Sequence, residues 1–248
     1  MKVSIITCTY NSAKTVGDAL DSLVSQNYDD IESIVIDGAS QDNTLEVVSS
    51  YKDLVSNVVS EADKGIYDAL NKGIALATGD VIGILHSDDI LASDDVISRV
   101  VQCFDPSIDA VYGDLQYVER ANTGKATRNW IGKPFDRELF YYGWMPAHPT
   151  FYLRANRYRE FGVFNLDFYT SADYELLLRM LFKHRLNAKY LPMVMTKMRV
   201  GGQSNATLKN RWIANKEDAR AWRVNGIKAR FYTRWLKPLS KITQFINT

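Results

Sequence analysis

Residues 86–89 read His86-Ser87-Asp88-Asp89, directly after the apolar run Val81-Ile82-Gly83-Ile84-Leu85. Such a run has the composition of a strand buried on both faces of a parallel sheet. In open α/β sheets, ligands sit just beyond the carboxyl ends of the strands. Two adjacent carboxylates there repel each other unless a positive charge lies between them. A divalent cation carrying a diphosphate would supply that charge. The alternative is a solvated turn that caps the next helix.

Three further polar segments follow apolar runs. Thr7, Thr9, Tyr10 and Asn11 come at and after the run 3–8. Asp37-Gly38-Ala39-Ser40, with Asp42-Asn43-Thr44, comes after 31–36. Glu61, Asp63, Lys64 and Gly65 come after 54–59. A parallel topology brings these ends to one edge of a sheet. Asp37 there can accept from a ribose hydroxyl or a base N–H, or it can cap a helix. No GxxxxGK[ST] motif is present and no GxGxxG follows the first strand, which argues against P-loop enzymes and nicotinamide dehydrogenases. A bound diphosphate would therefore depend on a metal at Asp88 and Asp89 for charge neutralisation.

The elements that must hold these loops alternate through the first 110 residues. Strands are expected at 3–8, 31–36, 54–59 and 81–85. Between them, Val16, Ala19, Leu20, Leu23 and Val24 recur at helical spacing after a Ser12 cap, and Leu45, Val47 and Val48 follow an Asp42 cap. Helices are also expected at 66–77, stopped by Gly79, and at 94–104, with Pro106 beyond. The order βαβαβαβ predicts a parallel, doubly wound sheet. Further on, 110–118 reads as a strand pair interrupted near Gly113-Asp114. Asn122 to Lys125 is a turn, 146–153 is mixed, 173–183 is a helix and 188–198 a strand. Gly201-Gly202-Gln203-Ser204 is a loop, and helices at 208–224 and 228–245 close the chain, the last one broken by Pro238.

A chain of 248 residues, 46% hydrophobic and 24% charged, has the make-up of a soluble globular protein. A net charge of +1 gives no bias toward nucleic acid. Cys8 and Cys103 are far apart and match no metal spacing, so they read as free, buried thiols in a reducing compartment. No signal peptide and no membrane-spanning run is visible. Residues 205–248 are basic and carry Trp212, Trp222, Phe231, Tyr232, Trp235 and Phe245. That combination suits a membrane surface or another anionic partner; the alternative is a solvated helical face with core aromatics.

Three stretches together resemble the family 2 glycosyltransferases: Val3 to Thr7 with Thr9-Tyr10-Asn11; Ile36 to Ser40 with Asp42-Asn43-Thr44; and Glu61, Asp63 to Ala69, Asn71-Lys72-Gly73 and Ala77 to Asp80. The third is similar to a bacterial subgroup that builds exopolysaccharides, O-antigens and colanic-acid-type polymers. The resemblance covers about residues 1–205. It implies an α/β fold of the GT-A type, a mostly parallel doubly wound sheet flanked by helices, with a C-terminal helical extension. Residues 1–110 would be the nucleotide-sugar half, 111–205 the acceptor half, and 206–248 a basic aromatic tail.

The resemblance further implies an inverting, metal-dependent transfer from a nucleotide-sugar. Thr7, Thr9, Tyr10, Asn11, Asp37 and Asp88 would bind the donor, with Asp63 and Lys64 lining its pocket or forming an exposed salt bridge. Asp89 would be the main ligand of Mn²⁺ or Mg²⁺, with Asp88 beside it. His86 stands where the family often has an acid, and could be a third ligand, a hydrogen-bonding group or a core histidine. Ser171-Ala172-Asp173 resembles the family's acidic motif at a helix start, with Ala172 in place of the first acid; Asp173 would be the catalytic base. His148, between Pro146 and Pro149, would bind the diphosphate or acceptor, and Arg199 would pair with phosphate. A glycan or lipid-linked acceptor would place the enzyme in the cytoplasm, peripheral on the inner face of the membrane. The C-terminal helices could pair with a second copy. The rival readings are a non-catalytic nucleotide-sugar or glycan-binding module and a sugar nucleotidyltransferase. The latter lacks a Gly-rich basic loop at Thr9-Tyr10-Asn11-Ser12.

Overall fold

The structure, a computed structural model, describes residues 1–201 and 208–233; within helix 208–224, side chains are described from residue 213 onward. Four strands form a parallel half-sheet: β1 (Val3–Thr9), β2 (Ile31–Asp37), β3 (Val55–Ser60) and β4 (Val81–Ile84). They lie in the order β3-β2-β1-β4, which places β1 at the centre with β2 and β4 as parallel neighbours. The α/β class and the βαβαβαβ order are as expected. The helices between these strands are α1 (Val16–Val24), α2 (Thr44–Ser49) and α3 (Ile66–Leu76). Their apolar positions recur at helical spacing and turn inward: Val16, Ala19, Leu20 and Leu23 of α1 are all buried. Ala69, Leu70, Gly73 and Ile74 of α3 are buried too, and α3 presses so close to the sheet that a Cβ on Gly73 would stand 2.4 Å from Ile6.

The second half departs from a simple parallel array. Residues Ala110–Val118 form one strand, β6, with register shifts on either side of Asp114 rather than a break. Two short strands were not foreseen: β5 (Asp89–Leu91) and β8 (Tyr152–Arg154). Strand β7 (Ala126–Trp130) and helix α5 (Ala155–Phe161) complete the elements missing from the sequence reading, while α4 (Val96–Cys103) matches an expected helix. β9 (Ala188–Arg199) pairs with β6 in parallel and with β5 in antiparallel. The full order is β3-β2-β1-β4-β8-β6-β9-β5, with β7 on β6.

This order forces a curl. β4 and β5 are adjacent in sequence but four pairings apart across the sheet. A flat sheet would separate them by ~19 Å at ~4.8 Å per pairing. The chain from Ile84 to Asp89 can reach at most ~18 Å when fully extended, and it is bent by a turn in which Asp89 N donates to the His86 carbonyl at 3.0 Å. The far edge must therefore bend back, and α1 packs against β5 across the gap.

Helix α6 (Ala172–Leu177) continues as a π-helical turn, Leu178–Lys183, so the helix expected at 173–183 exists in two geometries. Helix α7 (Leu208–Val224) matches its expected bounds. It is not an appended tail, however. Ala221 and Trp222 are buried in the same core as Phe140, Tyr174 and Phe182, and Trp222 Nε1 donates to the Tyr174 hydroxyl at 2.8 Å. Residues 227–230 are not helical; the remainder of the second expected helix, with Pro238, Trp235 and Phe245, lies beyond the described residues, as do Gly202, Gln203 and Ser204. Cys8 and Cys103 are free and buried, as expected. No helix among the described residues is long and apolar enough to cross a membrane.

Candidate active site

The loops after β1, β2 and β3 close around one carboxylate. Asp37, at the end of β2, is fully buried. Its Oδ1 accepts from Thr9 Oγ1 at 2.8 Å and Ser40 Oγ at 2.5 Å; its Oδ2 accepts from Ser40 N at 2.9 Å and Ser60 Oγ at 2.8 Å. Burial alone would push the Asp37 pKa up, but hydrogen bonds from Ser40, Ser60 and Thr9 outweigh it and hold the carboxyl below its usual value. In this structure Asp37 thus knits three loops together and has no face open to a ligand. Asn11, in left-handed backbone at φ 49°, accepts from Gln41 N at 2.8 Å, while its own N–H donates to Ser40 Oγ at 2.8 Å.

Gly38 faces the end of β3. A Cβ there would stand 2.6 Å from Asp63 Oδ2, so only glycine lets that carboxylate approach. Tyr10, 60% exposed, lies on the same side. Asp63 also accepts from Gly65 N at 2.8 Å, and the Lys64 side chain is exposed. The ion pairs nearby belong to Lys72, with Glu61 and Asp68, rather than to an Asp63–Lys64 pair. Thr7, expected at the donor site, is instead fully buried; it lies two residues short of the strand end, where both layers cover the sheet.

The β4–β5 turn joins the same surface, for Ser87 Oγ and Ser12 Oγ are 2.9 Å apart. The two acids of this turn differ sharply. Asp88 reaches solvent, and Arg120 Nη1 approaches its Oδ2 to 3.9 Å. Asp89 has become the first residue of β5; it is 1% exposed, and neither carboxylate oxygen has a hydrogen-bond partner among the described residues. Burial, then the charge of Asp88, push its pKa well up, against a smaller opposing effect of Arg199. Accessibility therefore reverses the expected order, making Asp88 and not Asp89 the carboxylate that a cation can reach first.

Arg199 does not face a phosphate site. It is 4% exposed, donates from Nη1 to the Asp88 carbonyl at 2.8 Å and from Nε to the Arg120 carbonyl at 3.2 Å, and pairs through Nη2 with Asp18. It is a brace behind the turn, with three of its five N–H donors engaged in these contacts. Among the described residues no three His, Cys, Asp or Glu side chains gather as a cation site, so His86, Asp88 and Asp89 do not form the expected trio. The two carboxylates still fit Mg²⁺ or Mn²⁺, which commonly take one or two protein carboxylates plus substrate phosphates. The unpartnered buried oxygens of Asp89 agree with such a group.

His86 turns the other way. Its Nε2 lies 3.3 Å from Nε2 of His148, and His148 Nδ1 lies 3.1 Å from Asp173 Oδ2. Burial, then His148, push the His86 pKa down to about 3, with Asp173 opposing, so its ring is neutral. Both nitrogens of His148 are engaged, leaving neither free for the diphosphate or acceptor contact expected of it. Asp173 is in the first turn of α6 and also meets the Tyr67 hydroxyl at 3.3 Å. The Tyr67 proton is shared with the Thr170 carbonyl at 3.0 Å. Ala172 is fully buried, a position where an unpaired acid would be costly.

Sequence reasoning missed the group that fixes this turn. Glu217 of α7 accepts from Tyr169 N at 2.7 Å, Thr170 N and Oγ1 at 2.8 Å, and Ser171 N at 3.0 Å. It is one of only two acids in the basic segment, which was the available signal. Arg120, Ser60 and Tyr67 were also missed; each lies in a stretch whose spatial neighbours are distant in sequence. A cavity of about 400 Å³ between Ser107, Phe135, Arg137 and Arg185 contains none of these residues.

A curled, mixed α/β sheet with acids in the β4–β5 turn and a carboxylate opening α6 has the architecture of the GT-A type. The profile of glycosyl transferase family 2 matches residues 4–185, and the chain belongs to that family. It is 30% identical over 209 residues to a PGL/p-HBAD biosynthesis glycosyltransferase of Mycobacterium tuberculosis (strain ATCC 25618 / H37Rv), covering 82% of this chain and 78% of that protein. Its fold is similar to S. aureus TarS 1-349 in complex with UDP-GlcNAc, with a TM-score of 0.67 and 18% identity over 91% of this chain and 65% of that one. The chain spans 47% of a longer TarS structure. It is also similar to the mannosyltransferase PcManGT from Pyrobaculum calidifontis in complex with GDP-Man and Mn²⁺, with a TM-score of 0.66 and 19% identity over 97% of this chain and 73% of that one.

Proposed function

We propose that this glycosyltransferase moves a sugar from a nucleotide-diphosphate-sugar to an acceptor hydroxyl, with inversion and with the help of a divalent cation. The observation that supports the reading is the placement of Asp173: a partly exposed carboxylate whose Oδ2 lies 3.1 Å from His148 Nδ1, with His148 in turn 3.3 Å from His86 of the β4–β5 link. Asp173 accepts the proton of the acceptor hydroxyl while that oxygen attacks the anomeric carbon. The bond to the diphosphate breaks on the opposite face, which inverts the centre. Asp88, with Asp89 behind it, would hold the cation, whose chemistry is neutralisation of the diphosphate leaving group. The UDP-GlcNAc and GDP-Man/Mn²⁺ complexes of the two structural relatives support a nucleotide-sugar and a metal. Tyr10 and Asp63, around Gly38, form the surface on which the nucleoside would lie, with Thr9, Asn11 and Asp37 fixing its loops.

The acceptor we favour is a lipid-linked glycan in bacterial surface polysaccharide synthesis, met at the inner face of the membrane. Phe231 is 89% exposed, and Tyr142, half exposed, stacks on Tyr232 beside Arg230, a basic aromatic patch suited to an interface. Removing residues 226–248 should move the protein from vesicles of anionic lipid into solution, and unchanged partitioning would exclude this contact.

The activity is tested with a panel of UDP-, GDP-, dTDP- and CDP-sugars, with and without Mn²⁺. Metal-dependent donor turnover that falls about 100-fold or more in Asp173→Asn, with donor binding retained, is the expected result. A variant as active as the wild type would exclude Asp173 as the base, and absence of any turnover across the panel would leave only a binding module.

A further inference from the structure

We propose that His148 is a positioning residue for the Asp173 carboxylate and that His86 acts as its anchor, so that the line His86–His148–Asp173 orients the base rather than binding the metal or the donor. The inference rests on Asp173 being the base, as proposed above. Its ground is the geometry of the line: 3.3 Å between the two Nε2 atoms and 3.1 Å from His148 Nδ1 to Asp173 Oδ2.

The proton positions follow from the partners. A carboxylate only accepts, so His148 Nδ1 carries a hydrogen and donates it to Asp173. One of the two Nε2 atoms must then donate to the other. His86 Nδ1 is buried with no partner. A buried orphan N–H is rarer than an orphan acceptor, so the hydrogen of neutral His86 belongs on Nε2, pointing at His148. Among the described residues the His86 ring thereby has one polar contact, and that contact is His148. A side chain kept only for packing would be apolar at that place, since an unpartnered buried polar atom is destabilising.

Both rings stand on fixed backbone. Leu85 N donates to the Ile6 carbonyl and Asp89 N to the His86 carbonyl, each at 3.0 Å. His148 opens a single 3-10 turn, His148–Thr150, with Pro149 inside it. Thr150 is fully buried, and its hydroxyl meets the Ala147 carbonyl at 2.8 Å and the Gly113 carbonyl at 3.1 Å. With Tyr67 at its other oxygen, Asp173 is held from both sides. A base fixed in this way spends no reorganisation when the acceptor arrives.

The test compares His86→Ala, His86→Asn, His148→Ala and His148→Asn in the full chain. Turnover is measured with the donor identified by the sugar panel. Binding is measured separately by calorimetry, using Mn²⁺ with whichever of UDP, GDP, dTDP or CDP the wild type binds most tightly. Positioning predicts a kcat about tenfold or more below wild type in both Ala variants, with donor KM and nucleoside-diphosphate affinity within about threefold. Asn at 148 keeps a donor where Nδ1 stands, so His148→Asn should recover much of what His148→Ala loses. Tenfold weaker Mn²⁺–diphosphate binding in the His86 variants would make His86 a metal or donor group and overturn the proposal. Unchanged kcat would overturn it too, as would melting so early in all four variants that no fold remains, since the pair would then be structural. Asp173→Asn, run alongside, reports on the base separately: if it stays active, the base assignment fails on its own account.

Discussion

Glu217 accepts the backbone N–H of Thr170 at 2.8 Å, 47 residues away in the chain, and so a C-terminal helix sets the turn that leads into Asp173. Three amide donors and one hydroxyl converge on this carboxylate. Hydrogen bonds to a charged acceptor are worth about 1.5–3 kcal/mol each, against the water they replace. Glu217→Ala should therefore cost about 2 kcal/mol or more in urea unfolding and lower kcat, because the start of α6 loosens. Glu217→Gln, which retains one acceptor oxygen, should fall between. Wild-type kcat in Glu217→Ala would separate this contact from the chemistry.

Asp88 and Asp89 should respond differently to removal. A ligand at 100 times its Kd stabilises the folded state by about 2.7 kcal/mol, which is read as a rise in melting temperature. Mn²⁺ with the bound nucleoside diphosphate should produce that rise in the wild type and not in Asp88→Ala. In the metal-free protein, Asp89→Ala should melt within a few degrees of wild type, because the substitution deletes two unpartnered buried oxygens along with a small buried stem. A full Mn²⁺ response in Asp88→Ala would refute the assignment of Asp88 as the accessible carboxylate.

Arg199 should behave as a brace. Arg199→Ala leaves the Asp88 and Arg120 carbonyls without their donor, and leaving such acceptors unpaired typically costs about 1–3 kcal/mol. Arg199→Lys cannot reproduce the fork that serves both carbonyls and Asp18, so it should recover little. Chemical denaturation of both variants checks this. A phosphate-binding arginine would give the opposite pattern, with weaker donor binding at unchanged stability.

Glu32 predicts part of the acid response. It is buried on β2, and it accepts from Lys2 Nζ at 2.8 Å, Ser4 Oγ at 2.5 Å, Thr78 Oγ1 at 2.6 Å and Thr78 N at 2.8 Å. Burial opposes the charge, but these bonds outweigh it and bring the pKa down from 4.5 to about 2. The folded value is the lower one, so the stabilisation is complete above pH 4.5 and is lost as pH falls toward 2. Its size is about 3 kcal/mol at most. Glu32→Gln should reduce stability at neutral pH by up to that amount and flatten the unfolding curve between those two pH values.

The parallel half was legible because its strands and helices declare themselves by period. Runs such as 81–85 are apolar on both faces, and α1 and α3 repeat at helical spacing. β5, β7 and β8 were not legible: they are three to five residues long and acquire their identity from partners far along the chain, as Asp89 does from Met198. The same limit applied to the site. Asp37 and Asp88 could be picked out by position relative to elements, and Asp173 by the resemblance of its motif. That Asp89 would be buried, that Arg199 would turn inward to Asp18, and that His86 would meet His148 all depend on the curl, which local sequence does not encode. Glu217 was hidden for a similar reason, since a basic segment reads as one surface until Trp222 is seen inside the core.

The short link from β4 to β5 also limits how such enzymes can be recombined. β4, from the first half, pairs with β8 of the second, and β5, also from the first, pairs with β9. A chimera joined at residue 110, with each half from a different parent, would have to match backbone pairing at both seams and seat His86 against a foreign His148. Exchange of segments between relatives is thus better sought in grafts smaller than a half, such as the β6–β7 hairpin, whose outer strand pairs, among the described residues, only with β6.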